Sequence, residues 1–212
     1  MTYHGGTWTA AAASLGVGRL SNLHLALDDQ GRALAVWNAF TTTLAVIGRY
    51  FDGHSWGGVQ TLAATGYFPD LIMTPSGDGF LSFVTGTATQ SLSYLQFGAV
   101  KGAWGSTHVV NTESVNNFFR PRTAYDGNGD ICLGWEQRAT GGALSVAGAI
   151  LGTTAAGVWT TPTNLIGADS QRLPLMSMPV SMSHAGACIV GWLGQPSSQS
   201  GAGYNLYANI FE

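Results

Sequence analysis

Apolar residues recur at every second position in short runs along one stretch of this chain. Between Leu23 and Trp56 they form the runs Leu23-Leu25-Leu27, Leu34-Val36 and Leu44-Val46. A period of two predicts short strands with one buried face. Between the first two runs lies Asp28-Asp29-Gln30-Gly31, and Asp52-Gly53 marks the next reversal. Asp bonds its own backbone and Gly tolerates positive φ, so both stretches read as turns. The unit is a meander of antiparallel strands, too small to bury its own face. No segment reads as a helix of useful length. Ala10–Ala13 has helix propensity, but it follows Trp8 as Val59 and Leu62 follow Trp56.

The meander repeats. Its turn glycine is read at Gly31, Gly79, Gly129 and Gly186, with Asp28, Ser76, Asp126 and Ser183 three residues earlier. Six residues after the glycine stand Trp37, Thr85, Trp135 and Trp192, so the second copy lacks the aromatic residue. A small residue recurs in the third strand at Gly48, Gly98, Gly148 and Ala208. A second tryptophan closes each unit at Trp56, Trp104 and Trp159, and Trp8 at the other end of the chain supplies the fourth. The copies span roughly 20–62, 69–110, 120–165 and 173–212, the last completed by 1–15.

Four meanders at this period predict an all-β, four-bladed β-propeller in one domain, residues 1–212. The N-terminal strand, Met1–Leu15, is expected to complete the last blade beside Tyr204–Phe211, leaving no unpaired edge. Two chains sharing one eight-bladed ring is the alternative. The stretches LALDDQGRALAVW, YFDGHSW and YNLYANIFE resemble the degenerate repeats of bacterial and phage sialidase-like β-propellers. That resemblance implies a group containing propeller lectins, virion proteins and surface proteins.

Only 9% of residues are charged, with a single lysine, Lys101, and a net charge of −3. Without a basic patch to neutralise phosphates, no nucleic-acid partner is expected. No stretch reaches the ~18 apolar residues of a membrane helix, so membrane insertion is not expected. The start, MTYHGGTWTAAAA, has no signal-peptide pattern. An extracellular or virion-associated place is expected. Cys132 and Cys188 lie three and two residues after their turn glycines, on opposite faces of equivalent strands, and are expected to be free buried thiols.

No catalytic elbow or zinc motif is present. Asp126-Gly127-Asn128-Gly129-Asp130 starts like a calcium loop, but Ile131 and Gln137 replace its required Gly and Glu, so it reads as a hairpin. No metal and no cofactor are expected. The histidines read as scattered, and Arg49, Arg120, Arg122 and Arg138 share no repeat position. The ligand candidates are Trp37, Asn38, Trp135, Glu136, Arg138 and Trp192, because a loop-edge aromatic offers a platform to a sugar face and its polar neighbours bond hydroxyls. Trp8, Trp56, Trp104 and Trp159 are assigned to packing. The expected function is a non-catalytic glycan-binding module on a cell surface, with no enzyme activity. Alternatives are a phage virion or tail docking protein and a degenerate sialidase-like glycosidase. Expected partners are a glycan or other protein subunits, with homo-oligomer formation left open.

Overall fold

The computed structural model describes residues 3–4, 7–8, 14–87, 90–113, 117–138, 144–151, 159–160, 163–164, 170–172, 178–196 and 205–211. All regular structure among them is strand. The strands are β1 (Tyr3–His4), β2 (Thr7–Trp8), β3 (Leu20–Leu27), β4 (Ala33–Phe40), β5 (Leu44–Phe51) and β6 (Gln60–Ala63). Next come β7 (Gly66–Met73), β8 (Gly79–Thr85), β9 (Gln90–Gly98), β10 (Ala103–Trp104) and β11 (His108–Glu113). A third group is β12 (Asn117–Tyr125), β13 (Ile131–Arg138), β14 (Leu144–Leu151) and β15 (Thr163–Asn164). The last is β16 (Ser170–Arg172), β17 (Val180–Met182), β18 (Cys188–Pro196) and β19 (Asn205–Phe211).

Strands β3 to β19 make four successive antiparallel sheets, and β1 and β2 pair in a separate two-stranded sheet. The first is β3-β4-β5-β6; the second is β7-β8-β9 with β10 and β11 both on β9; the third is β12-β13-β14-β15. In the fourth, β16, β17 and β19 all pair with β18, β17 and β19 from opposite sides. First strands of consecutive sheets pack side by side, β3 on β7, β7 on β12 and β12 on β17. Each sheet buries one face on the next. Leu34, Val36 and Val46 of the first meet Leu71, Leu81, Phe83, Leu95 and Phe97 of the second in one cluster. Val84 and Leu92 of the second meet Leu133 and Trp135 of the third.

Each turn glycine takes positive φ: Gly31 at 77°, Gly77 at 97°, Gly129 at 117° and Gly186 at 89°. This corrects the register of the second copy, where the turn glycine is Gly77 rather than Gly79. Position six after it is then Phe83, not Thr85, so every copy carries an aromatic residue there. The third-strand position opposite Ser82 is Tyr94, not Gly98. The Asp126 loop is a hairpin: its Oδ1 accepts the N–H of Asn128 at 2.6 Å and those of Gly129 and Asp130 at 3.0 Å. Asp28 does the same for Gln30 and Arg32.

Two further expectations change. Cys132 and Cys188 form a disulfide, with Cα atoms 6.2 Å apart. They do lie on opposite faces of equivalent strands, but stacked sheets bring the forward face of one against the backward face of the next. The offset that seemed to separate them is what joins them. Closure by the N-terminal strand is not seen among the described residues. Tyr3–His4 pairs with Thr7–Trp8, and β19 pairs with β18; the rest of 1–13 lies outside the described residues.

Candidate functional site

The first strand of each of the first three sheets is broken at the same place. The register shifts between Ser21 and His24, Tyr67 and Asp70, and Phe119 and Arg122. Within each break one non-glycine residue has positive φ: Asn22 at 50°, Phe68 at 51° and Arg120 at 46°. Such bulges re-aim side chains, and a left-handed non-glycine residue costs about 1–3 kcal/mol. Pro69 and Pro121 follow two of them, where a missing N–H leaves no gap in the ladder.

Just beyond the bulges, three equivalent residues meet. His24, Asp70 and Arg122 each stand four residues before their turn-opening residue, Asp28, Thr74 or Asp126. Asp70 is the hub. Its Oδ2 accepts the Thr123 N–H at 2.7 Å, and its Oδ1 accepts from Arg122 Nη1 at 3.2 Å. His24 Nδ1 lies 3.7 Å from the same Oδ1. The His24, Asp70 and Arg122 side chains are 27%, 11% and 30% exposed, so the cluster is open to solvent on one side. Burial lowers the His24 pKa; Asp70 opposes this and Arg122 adds to it, and the imidazole is neutral at pH 7.

The bulge residue itself reaches the second strand. Asn22 Nδ2 donates to Asn38 Oδ1 at 2.9 Å, and Phe68 packs against the cluster holding Val84. Arg120 and Glu136 occupy the same two positions in the third sheet. Glu136 is 2% exposed, and its Oε2 is a buried oxygen with no hydrogen-bond partner. Burial pushes its pKa up to about 7, against the pull of Arg120 and Arg122. Arg122 therefore bonds the Asp70 carboxylate and also pulls on the Glu136 carboxyl, whose pKa burial has raised to about 7. Beside the bulge of β3, a groove of about 410 Å³ is lined by Leu15, Leu20, Asn22 and the edge of Trp37.

Of the residues singled out from sequence, Asn38 and Glu136 sit at this end of the sheets. Asn38 is fully buried and tied, donating to Ala45 O at 3.1 Å and Gly66 O at 2.9 Å. Trp37 is 3% exposed and Trp135 is buried outright, its Nε1 donating to Gln137 Oε1 at 3.0 Å. Trp192 is half-buried and stacks on Tyr207. Arg138 ends β13 opposite Asn117; its side chain is not among those described. The series assigned to packing is the less buried one: Trp56, Trp104 and Trp159 are half-buried, on Phe51, Phe97 and Phe80 respectively. Sequence reading missed His24, Asp70 and Arg122. Their signal was a polar residue four before the turn opener in three copies, on strands where apolar residues are the rule.

No family model matches the chain, and no curated protein matches it. Solved structures do. One is the Penicillium chrysogenum α-L-arabinanase complexed with arabinobiose, at TM-score 0.62 and 10% identity, covering 89% of this chain and 62% of that one. Another is the GH93 α-L-arabinofuranosidase of Fusarium graminearum, at TM-score 0.59 and 12% identity, over 89% and 61%. A third is a PL25 ulvan lyase bound to -[GlcA(1-4)Rha3S]-, at TM-score 0.59 and 11% identity, over 89% and 55%. The likeness shows a β-propeller fold, and the chain spans 55–62% of the length of these proteins. The expectation of a non-catalytic binding module without enzyme activity is overturned here, since the structures sharing the fold are glycan-cleaving enzymes.

Proposed function

We propose that this chain forms a propeller that cleaves glycosidic bonds, a glycosidase in the broad sense of the sequence resemblance, with its site at the bulged ends of the first strands. The observation that carries the reading is the convergence of His24, Asp70 and Arg122, from three successive sheets, on one half-open cluster. A catalytic carboxylate needs a fixed position and a polar surround, which Thr123 N–H and Arg122 provide. Hydrolysis of a glycosidic bond also needs a proton donor. Glu136, whose pKa burial raises to about 7 against the pull of Arg120 and Arg122, is a candidate proton donor behind this layer. In this reading Asp70 faces the sugar as base or nucleophile, His24 relays protons, and the groove beside Trp37 and Asn22 receives the neighbouring sugar. The Cys132–Cys188 disulfide favours an oxidising surrounding, in keeping with a glycan outside the cell.

The test is a panel of polysaccharides, arabinan and uronate-bearing chains among them, incubated with purified protein and assayed for new reducing ends. Cleavage is expected on at least one. Asp70→Asn and His24→Gln are each expected to lower it by a factor of ~10²–10⁴ while circular dichroism stays that of the wild type. No new ends on any substrate would sink the reading, as would full activity in both variants. Products carrying an ultraviolet-absorbing unsaturated ring would replace hydrolysis by elimination.

A further inference from the structure

Where two sheets stack, two positions stand at the hairpin end of the seam: the residue one after the turn glycine, and the third-strand residue paired with the one three after it. In the first seam these are Arg32, one after Gly31, and Tyr50, paired with Leu34. Both side chains cross to the second sheet. Arg32 Nη2 donates to Ser76 O at 2.6 Å while its Nε holds Asp28 Oδ2 at 2.6 Å. The guanidinium lies so close over Gly77 that a side chain there would strike it. The Tyr50 ring lies 4.8 Å from that of Phe97. A guanidinium and a phenol therefore fill this corner of the first seam.

The second seam has Asp78, one after Gly77, and Gln96, paired with Phe80. Both are shorter than their counterparts, and a cavity of about 220 Å³ stands open between them and Tyr125 and Ile131 of the third sheet. Its wall at Gly98 is bare, since a Cβ added there meets no atom within 4 Å. Asp78 Oδ1 accepts the Ala99 N–H at 2.9 Å; among the described residues neither Oδ2 nor the Gln96 amide has a hydrogen-bond partner. Of the residues that line the cavity, Asp78 alone is charged. Burial raises the Tyr125 pKa, and the Asp126 and Asp78 carboxylates raise it further, so two negative charges act on one phenol. The cavity is apolar-walled and negative, and its lining includes no cation.

We propose that this cavity binds a guanidinium group supplied from outside the chain. The repeat itself selects the occupant. At the same corner of the first seam a guanidinium is held by a carboxylate and a backbone carbonyl; in the second, the arginine's own position carries a carboxylate, so the corner has lost a cation and gained an anion. A guanidinium suits an apolar-walled site better than an ammonium ion, because it is planar, more weakly hydrated and matched to a carboxylate. The Tyr125 ring offers it a cation–π face. The volume falls below the ~300–1,000 Å³ of pockets for drug-sized ligands, so the cavity takes a head group and not a whole chain. That head group comes on a free small molecule or on an arginine side chain of another protein. The cavity lies at the hairpin end of β7, beyond Asp70 and the bulge, so the inference does not rest on glycan cleavage.

The test is a titration of the full chain with methylguanidinium chloride at constant ionic strength, followed by amide NMR. Saturable shifts are expected at the Gly98, Ala99, Tyr125 and Ile131 amides. Asp78→Asn keeps the shape and should weaken binding ~10-fold or more, on the scale of a lost charged hydrogen bond. Gly98→Leu fills the cavity from its bare wall and should abolish binding, as should the Asp78→Arg/Gln96→Tyr double variant, which copies the first seam. N-acetyl-arginine methylamide separates the two sources: binding at least as tight as that of methylguanidinium assigns the site to a protein arginine, and weaker binding to a free small molecule. No saturable shift at these amides in the wild type would overturn the proposal. So would unchanged affinity in Asp78→Asn or in folded Gly98→Leu, equal binding of methylammonium, or saturation of the same amides by arabinose, which would make the cavity a sugar subsite.

Discussion

Glu136 ties stability to pH in a way that can be worked out from its surroundings. Its carboxyl is 2% exposed, one oxygen has no hydrogen-bond partner, and burial raises its pKa from 4.5 to about 7. In the unfolded chain the group ionises near its ordinary value; in the fold it holds its proton. The folded state therefore binds the extra proton, and the stability this contributes is fully present below about pH 4.5. It is lost as pH rises through about 7. At about 1.4 kcal/mol per pH unit, the whole change is on the order of 3 kcal/mol. Glu136→Gln keeps the shape and removes the titration. Urea denaturation of both proteins at intervals from pH 4 to pH 8 gives the difference, in which other titrating groups cancel. The wild type should lose about 3 kcal/mol relative to the variant over that range. A difference that stays flat, or that moves the other way, would show that the carboxyl is ionised in the fold and that Arg120 and Arg122 outweigh burial.

Two more outcomes follow from the seams. Replacing Cys132 and Cys188 by serine opens a crosslink between residues 56 apart and should cost about 4 kcal/mol in chemical denaturation; thiol titration of the denatured, unreduced wild type should find no free thiol. Trp135→Ala should destabilise by ~3–5 kcal/mol, as for a buried aromatic side chain, and by more than Trp56→Ala, whose indole is half-exposed; equal melting temperatures would refute the burial argument.

The reading of Trp37 and Trp135 shows where a sequence repeat misleads. A residue six after the turn glycine was placed at a strand end, and an apparent vacancy at Thr85 made an obligatory core role look unnecessary. The vacancy came from choosing Gly79 over Gly77, two glycines separated by one residue in Gly77-Asp78-Gly79. Only the backbone settles which of them turns, and the choice of Gly77 puts Phe83, fully buried, into the slot. Asn38 and Glu136 were picked as neighbours of Trp37 and Trp135, whose indoles are buried; they stand behind the candidate cluster because both face a bulge.

What the sequence by itself determined is local. Period-two alternation sets the strands, Asp oxygens bonded to the following N–H groups set the turns, and glycine at positive φ sets where each hairpin reverses. These depend on residues within a few positions of one another, so the string of residues contains them. The tertiary structure decided everything that depends on which face meets which. Cys132 reaches Cys188 because consecutive sheets stack forward face to backward face. His24, Asp70 and Arg122 meet because three first strands lie side by side and each is bulged at the same register. Those contacts join residues 46 to 56 positions apart, and no local propensity carries information over that distance; the stacking of whole sheets does.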